Sequence, residues 1–303
     1  MEINDSADIA LTMVEGGYDD PKTFQEAWNH PDPKERKEWR NGIRKEFRDM
    51  IARHVWRQRK RRDVPQNKRL VGHKWVFKKK KDGRYRARLV ALGYSQIPGE
   101  DFTETQSPVV YDITFRIVLV LMIINQWISE VMDITTAFLH GEMEEEVYMT
   151  VPEGLDLVEE GWDVNDDCVE LMRTIYGTKQ AARQYWKYFM AHMQQKGYKR
   201  THADPCLLMK RDIICVYVDD CLITGDKRAV EQAKLDIKSK FDVRELGPVD
   251  EYIGCNIKKI DDSKIKLEQP DMIKKIKKEF GKDVEHMRPS ETPMGPGIAV
   301  QRP

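Results

Sequence analysis

Apolar and polar positions recur with two periods along this chain of 303 residues, and the changes of period mark out its elements. Over residues 32–51, Trp39, Ile43, Phe47 and Met50/Ile51 fall at helical spacing. Asp32 is the predicted N-cap, Pro33 takes the first helical position and Glu35 supplies a capping-box acid. Residues 70–96 change to partial two-residue alternation on either side of Lys81-Asp82-Gly83, the signature of a hairpin. Residues 112–126 have the length of a helix and lead into an apolar strand, Trp127 to Met132, that ends in Asp133. Residues 213–225 are two apolar runs that meet at Asp219-Asp220, which predicts a tight hairpin with carboxylates at its bend.

Three further helices follow from the 3.6-residue period. One opens at Gln180 and lines up Tyr185, Trp186, Phe189, Met190 and Met193; a second, over 229–241, turns Val230, Ala233, Ile237 and Phe241 inward. The last runs from Pro270 to Gly281, with Met272, Ile273, Ile276 and Phe280 inward and Lys274, Lys275, Lys277, Lys278 and Lys282 outward. Residues 1–31 show little periodicity and read as a leader or linker.

Composition narrows the class. The chain is 40% hydrophobic and 34% charged, enough apolar surface for one large or two ordinary domains with a polar exterior. Its longest apolar run, residues 117–124, is far too short for a membrane span, and residues 1–20 lack the apolar core of a secretory signal. An intracellular protein with no membrane partner is expected. The five cysteines have no C-x-x-C spacing, which argues against a zinc site or a disulfide framework and predicts buried thiols.

Formal charge sums to +0, yet it is segregated: residues 57–88 hold fifteen Lys or Arg against two Asp, and residues 142–170 hold twelve acids with no Lys or Arg. Such a distribution predicts a dipolar surface with a basic face suited to a polyphosphate. On the outgoing strand of the first hairpin, Arg84, Arg86 and Arg88 share one face because side chains repeat every two residues.

A lone Asp-Asp is ordinary turn chemistry. A second acid at another apolar strand end, Asp133, changes that reading, because neighbouring strands would bring the carboxylates together as hard oxygen ligands for Mg²⁺. Here the chain resembles a known family. Val131-Met132-Asp133-Ile134-Thr135-Thr136-Ala137-Phe138-Leu139-His140-Gly141 and Tyr217-Val218-Asp219-Asp220 are similar to the reverse transcriptase of copia-type retrotransposons. So are Lys74 to Lys78, Arg86 to Gln96, Gly99 to Thr105 and Val169 to Gln180. Gln106 and Thr178 depart from the family pattern, which has an aromatic and a leucine there.

The resemblance implies an α+β right-hand polymerase with fingers, a ferredoxin-like palm and a partial thumb. It implies an N-terminal leader and helix over 1–64, fingers over 65–107 and 142–178, palm over 108–141 and 179–257, and the start of a thumb over 258–303. It implies RNA-directed DNA polymerase activity on a primed RNA or DNA template with dNTPs, with two Mg²⁺ ions, or Mn²⁺ in their place, held by Asp133, Asp219 and Asp220. Lys78 or Lys80, Arg86 or Arg88, Phe138, Gln180 and Tyr217 would contact the incoming nucleotide, Phe138 by excluding a 2′-hydroxyl; Leu246 and Gly247 would lie in a turn that places the primer end. The expected locations are the cytoplasm, virus-like particles and the nucleus. RNase H, integrase and protease segments do not fit into this length, so a polyprotein fragment or a truncated copy is expected. The alternative is a catalytically silent nucleic-acid-binding remnant. Oligomeric state stays open at this level.

Overall fold

A computed structural model describes residues 20–80 and 83–284. The described residues open with a short helix, Phe24–Trp28, capped by the Thr23 hydroxyl and anchored by buried Phe24 and Ala27. Part of the expected leader is thus core, because an aromatic and a small residue one turn apart find a ready apolar surface. The helix Pro33–Ala52 follows, with Asp32 accepting from the amides of Lys34 and Glu35 as expected. Its Glu35 carboxylate reaches out to Lys79 Nζ at 2.7 Å, where a capping box was expected.

The strands are β1 (Trp56–Lys60), β2 (Leu70–Val71), β3 (His73–Lys79), β4 (Tyr85–Ala91), β5 (Ile128–Ile134), β6 (Tyr148–Thr150), β7 (Asp167–Leu171), β8 (Lys199–Arg200), β9 (Leu207–Met209), β10 (Ile213–Tyr217), β11 (Asp220–Gly225), β12 (Val243–Pro248), β13 (Glu251–Tyr252), β14 (Cys255–Asp261) and β15 (Lys264–Glu268). Helices Asp112–Ile124, Ala181–Gln195, Lys227–Lys238 and Pro270–Val284 complete the fold. The central sheet has the order β12-β5-β11-β10-β9-β8. Four of its strands, β12-β5-β11-β10, and two of the helices are met along the chain in the order β5, Ala181–Gln195, β10, β11, Lys227–Lys238, β12, the βαββαβ connectivity of a ferredoxin-like unit. The helix Asp112–Ile124 covers this sheet through buried Phe115, Val118, Leu119 and Met122, while Ile113, Ile117, Val120 and Ile124 stay exposed.

Apolar residues gather in two cores. One is built on the central sheet and its helices. The other joins the helices Phe24–Trp28 and Pro33–Ala52 to the β3–β4 hairpin and to the sheet β1-β7-β6-β2. In the second core Trp39 meets Tyr85 and Phe77 edge-on, at 4.6 and 5.5 Å between ring centroids.

Three expectations change here. Part of the charge segregation read from the sequence is cancelled in space, because β1 pairs with β7: Arg57 and Arg59 both reach Glu170 at 2.6 Å, and Lys60 reaches Asp167 at 2.7 Å. The final helix runs through Gly281 to Val284, and Met272, Ile273, Ile276 and Phe280 are about half exposed, because no described core reaches their face. The side chain of Lys282 lies outside the described residues, as do Lys81 and Asp82 of the first hairpin turn. Leu246 and Gly247 belong to edge strand β12, at a bulge between Glu245 and Gly247, where a turn was expected. Among the described residues no helix is long and apolar enough to cross a membrane, and all five cysteines are free and buried.

Candidate active site

Antiparallel pairing puts Asp133 of β5 directly across from Asp220 of β11, and Arg244 of β12 directly across from Asp133 on the other side. Directly opposed residues share a face, so the three form a row across three adjacent strands. Arg244 Nη2 donates to Asp133 Oδ2 at 3.3 Å. Asp219 sits in the two-residue turn between β10 and β11, and its carbonyl accepts from the Ile134 amide at 2.8 Å, which ties the turn to the end of β5.

That turn is strained. Val218 takes φ 53°, a left-handed conformation that a β-branched residue adopts at a cost of roughly 1–3 kcal/mol. Thr136, just past Asp133, is left-handed as well, at φ 54°. Hairpin and sheet hold both residues, and the carboxylates are thereby turned out of the core.

The electrostatics follow from confinement. Burial raises the Asp219 carboxyl, and Asp133 adds to the push against its own backbone amide, Arg86 and Arg88. Asp220 is pushed up to about 7, first by burial and then by Asp219 and Asp133, with Arg244 pulling the other way. Three acids that resist sharing their charge suit a hard divalent cation in donor chemistry. As their side chains stand, no group of three His, Cys, Asp or Glu among the described residues is close enough to hold a metal ion. The Asp133 carboxylate is turned toward Arg244 instead.

A cleft of about 740 Å³ opens over Asp133 and Asp219, and Asp220 does not line it. Asp133, Thr136, Tyr176 and Asp219 form its floor, and the opposite wall is the basic hairpin with Lys80, Arg84, Arg86 and Arg88. Clustering depresses the Lys80 ammonium, by burial and then by Arg86, Lys78 and two more arginines. Lys78 faces Arg86 across β3 and β4 without lining the cleft. Arg88 is held by the buried Glu46 carboxylate at 2.8 Å, with its guanidinium 5.0 Å over the Tyr176 ring.

Several residues expected at the nucleotide stand elsewhere. Gln180 is fully buried: its Nε2 donates to the Asp101 carbonyl at 2.9 Å, and its Oε1 accepts from Gln96 at 3.1 Å. An amide so completely used inside the protein is not presented to the cleft. Phe138 and Tyr176 are both buried in the core of the central sheet and meet edge-on at 5.2 Å; of the two, Tyr176 lines the cleft and Phe138 does not. Gly177 makes this placement possible: at φ 85°, a Cβ there would lie 2.2 Å from the Ala91 carbonyl oxygen. Tyr217 is half-buried against the core of the central sheet. Leu246 is exposed on the strand next to β5. Sequence reasoning missed Glu46, Tyr176 and Arg244; for Glu46 the signal was an acid on the apolar face of an amphipathic helix, one turn after Ile43.

Fold and site define an α+β protein whose antiparallel sheet carries paired carboxylates beneath a cationic hairpin. A sequence model of the family described as reverse transcriptase (RNA-dependent DNA polymerase) matches residues 55–296, and the chain belongs to that family. Its relatives are copia/Ty1-type retrotransposon Pol polyproteins. The retrovirus-related Pol polyprotein from transposon TNT 1-94 of Nicotiana tabacum is 35% identical over 296 residues, covering 93% of this chain and 21% of the relative. That of transposon RE2 of Arabidopsis thaliana is 35% identical over 73% of this chain and 16% of its own length. The Ty1-NL1 Gag-Pol polyprotein of Saccharomyces cerevisiae is 26% identical over 79% and 13%. The chain thus spans about a fifth or less of these relatives. Among solved structures, the foamy viral protease-reverse transcriptase in complex with double-stranded DNA aligns at a TM-score of 0.38 and 11% identity, over 82% of this chain and 37% of the other.

Proposed function

We propose that this chain is the polymerase part of a copia-type retrotransposon Pol protein and extends a primer 3′-hydroxyl with dNTPs on an RNA or DNA template. The observation that carries this is the single cleft with Asp133 and Asp219 on one wall and Lys80 and Arg86 on the other. Phosphoryl transfer needs both: anionic ligands where the nucleophile is activated and cations where a polyphosphate lies. Two Mg²⁺ ions, or Mn²⁺, would be held by Asp133, Asp219 and Asp220, and when bound supply a lowered pKa at the primer hydroxyl and charge neutralisation at the leaving pyrophosphate.

The chain's own residues do the rest. Lys80 and Arg86 hold the triphosphate oxygens; no ion pair among the described residues engages either one. Tyr176 and Thr136 bound the sugar side of the cleft. Leu246, exposed beside the Asp133 strand, and Gly247 place the primer end. In right-hand terms the central sheet is palm, the β3–β4 hairpin with the sheet of β1, β2, β6 and β7 is fingers, and β13–β15 with the last helix starts the thumb. The two separate cores support that division.

Primer extension on poly(rA) with oligo(dT) tests this reading. The parent chain is expected to incorporate dTTP in Mg²⁺, and Asp219→Asn to lose activity at least about a thousandfold with its fold intact. Undiminished extension by Asp219→Asn sinks the assignment. A second reading, silent nucleic-acid binding, draws on the Asp133–Arg244 contact, which keeps one carboxylate turned from the others. Tight duplex binding by the parent with no incorporation in Mg²⁺ or Mn²⁺ would favour it.

A further inference from the structure

The helix Pro33–Ala52 lies ahead of the segment that defines the family, which begins at residue 55, yet it forms a wall of the cleft through Asn41, Lys45, Glu46 and Arg48. The helix packs closely on β4: a Cβ at Gly42 would be in van der Waals contact with the Tyr85 carbonyl oxygen at 3.4 Å and the Ala87 Cβ at 3.6 Å. Glu46, 1% exposed, points from the helix into that seam. Its Oε2 accepts from Arg88 Nη1 at 2.8 Å, and its Oε1 faces the Leu89 amide at 3.4 Å.

Arg88 is the group at stake. Its guanidinium lies over Tyr176 at 5.0 Å, and its Nε is buried with no hydrogen-bond partner among the described residues. Arg88 lines the cleft, while its buried carboxylate partner comes from the helix. A long, rotamer-rich cation that loses such a partner leaves its place on the wall.

The geometry points to Glu46 as a positioning residue: it fixes the Arg88 guanidinium at the wall where the triphosphate of an incoming nucleotide would lie. The inference rests on the proposed function, and it extends the nucleotide site to a helix outside the matched segment. Charge alone does not give this role. A carboxylate one methylene shorter keeps the charge and loses the reach.

The test is dTTP binding, read by calorimetry on the chain with poly(rA) and a dideoxy-terminated oligo(dT), alongside the melting temperature of each variant. Glu46→Gln and Arg88→Met are each expected to weaken dTTP by about tenfold, as for loss of one charged hydrogen bond. Glu46→Asp should weaken it too. Glu46→Gln leaves a buried guanidinium unpaired and destabilises the chain; adding Arg88→Met removes that charge, so the double variant should recover the parent's melting temperature without recovering dTTP affinity. Binding by Glu46→Gln within twofold of the parent, or tighter, overturns the inference. So does parental affinity in Glu46→Asp, or recovery of affinity together with stability in the double variant. A parent chain that binds no dTTP sinks the proposed function and this inference with it, whereas normal parental binding with an indifferent Glu46 sinks the inference alone.

Discussion

Asp133 and Asp220 come from distant parts of the chain and meet as directly opposed residues of β5 and β11. Side chains so paired sit on one face within reach of each other, and the Asp220 carboxyl is pushed up to about 7 by burial and its two acidic neighbours. A cation that binds only the folded site stabilises it by mass action, by about 2.7 kcal/mol at a hundredfold excess over Kd. Added Mg²⁺ at pH 8 should raise the melting temperature by several degrees, and chelation should reverse it. Asp133→Asn and Asp220→Asn should each abolish most of the rise; an equal rise in either variant would place the cation elsewhere.

Phe138 is packed among Tyr176 and Tyr185, with only Tyr176 reaching the cleft. Truncation to Ala should cost about 3–5 kcal/mol, in line with emptying an aromatic core site, and is read from denaturant unfolding. Phe138→Leu keeps most of the volume, and its dTTP over UTP preference in kcat/KM should stay within about threefold of the parent, or roughly 0.7 kcal/mol. A larger change would put the Phe138 ring itself against the sugar.

Arg57 is bonded to Glu170 through two nitrogens, each at 2.6 Å, whereas Lys80 and Arg86 line the cleft. Each phosphate contact adds about 0.9 to the slope of log affinity against log salt for duplex DNA. Arg57→Ala should leave the slope for a primed duplex unchanged, and Arg86→Ala measured with bound dTTP should lower the salt dependence of the nucleotide's own affinity. A slope reduced by Arg57→Ala would show that the β1 cations reach backbone phosphates despite their acidic partners.

Asp212 is buried beside Tyr198, whose hydroxyl donates to both of its oxygens at 3.2 and 3.1 Å. Burial pushes this carboxyl up to about 6, against the pull of Tyr198 and Lys210. Because the folded state holds the proton more tightly than the unfolded one, this group's contribution falls as pH rises from about 4 through 6. Asp212→Asn should therefore be more stable than the parent at pH 8, by about 1–2 kcal/mol, with the gap closing near pH 4. Melting curves across that range check it, and a gap independent of pH would remove the titration from the account.

The sequence by itself determined the elements and the acids. Residues 33–52, 181–195 and 227–238 are helical because their apolar positions recur at helical spacing, residues 112–124 were marked by their length, and Asp133, Asp219 and Asp220 by charge at the ends of apolar strands. Those signals are local, set by propensity and periodicity within one element. Only the tertiary structure decided which strands became neighbours, and that choice changed the chemistry. It set Arg57, Arg59 and Lys60 against Glu170 and Asp167, so the start of the basic block is neutralised by the acidic one while Lys80 and Arg86 of the same block line the cleft. It closed Gln180 into a buried amide network, brought Tyr176 to the cleft beside Phe138, and put Arg244 beside Asp133. It also left Met272, Ile273, Ile276 and Phe280 facing outward, although their spacing is that of a buried helix face. The physical reason is one of range: a side chain's periodicity says which face it shares, whereas its solvation and its ion-pair partner depend on segments a hundred residues away.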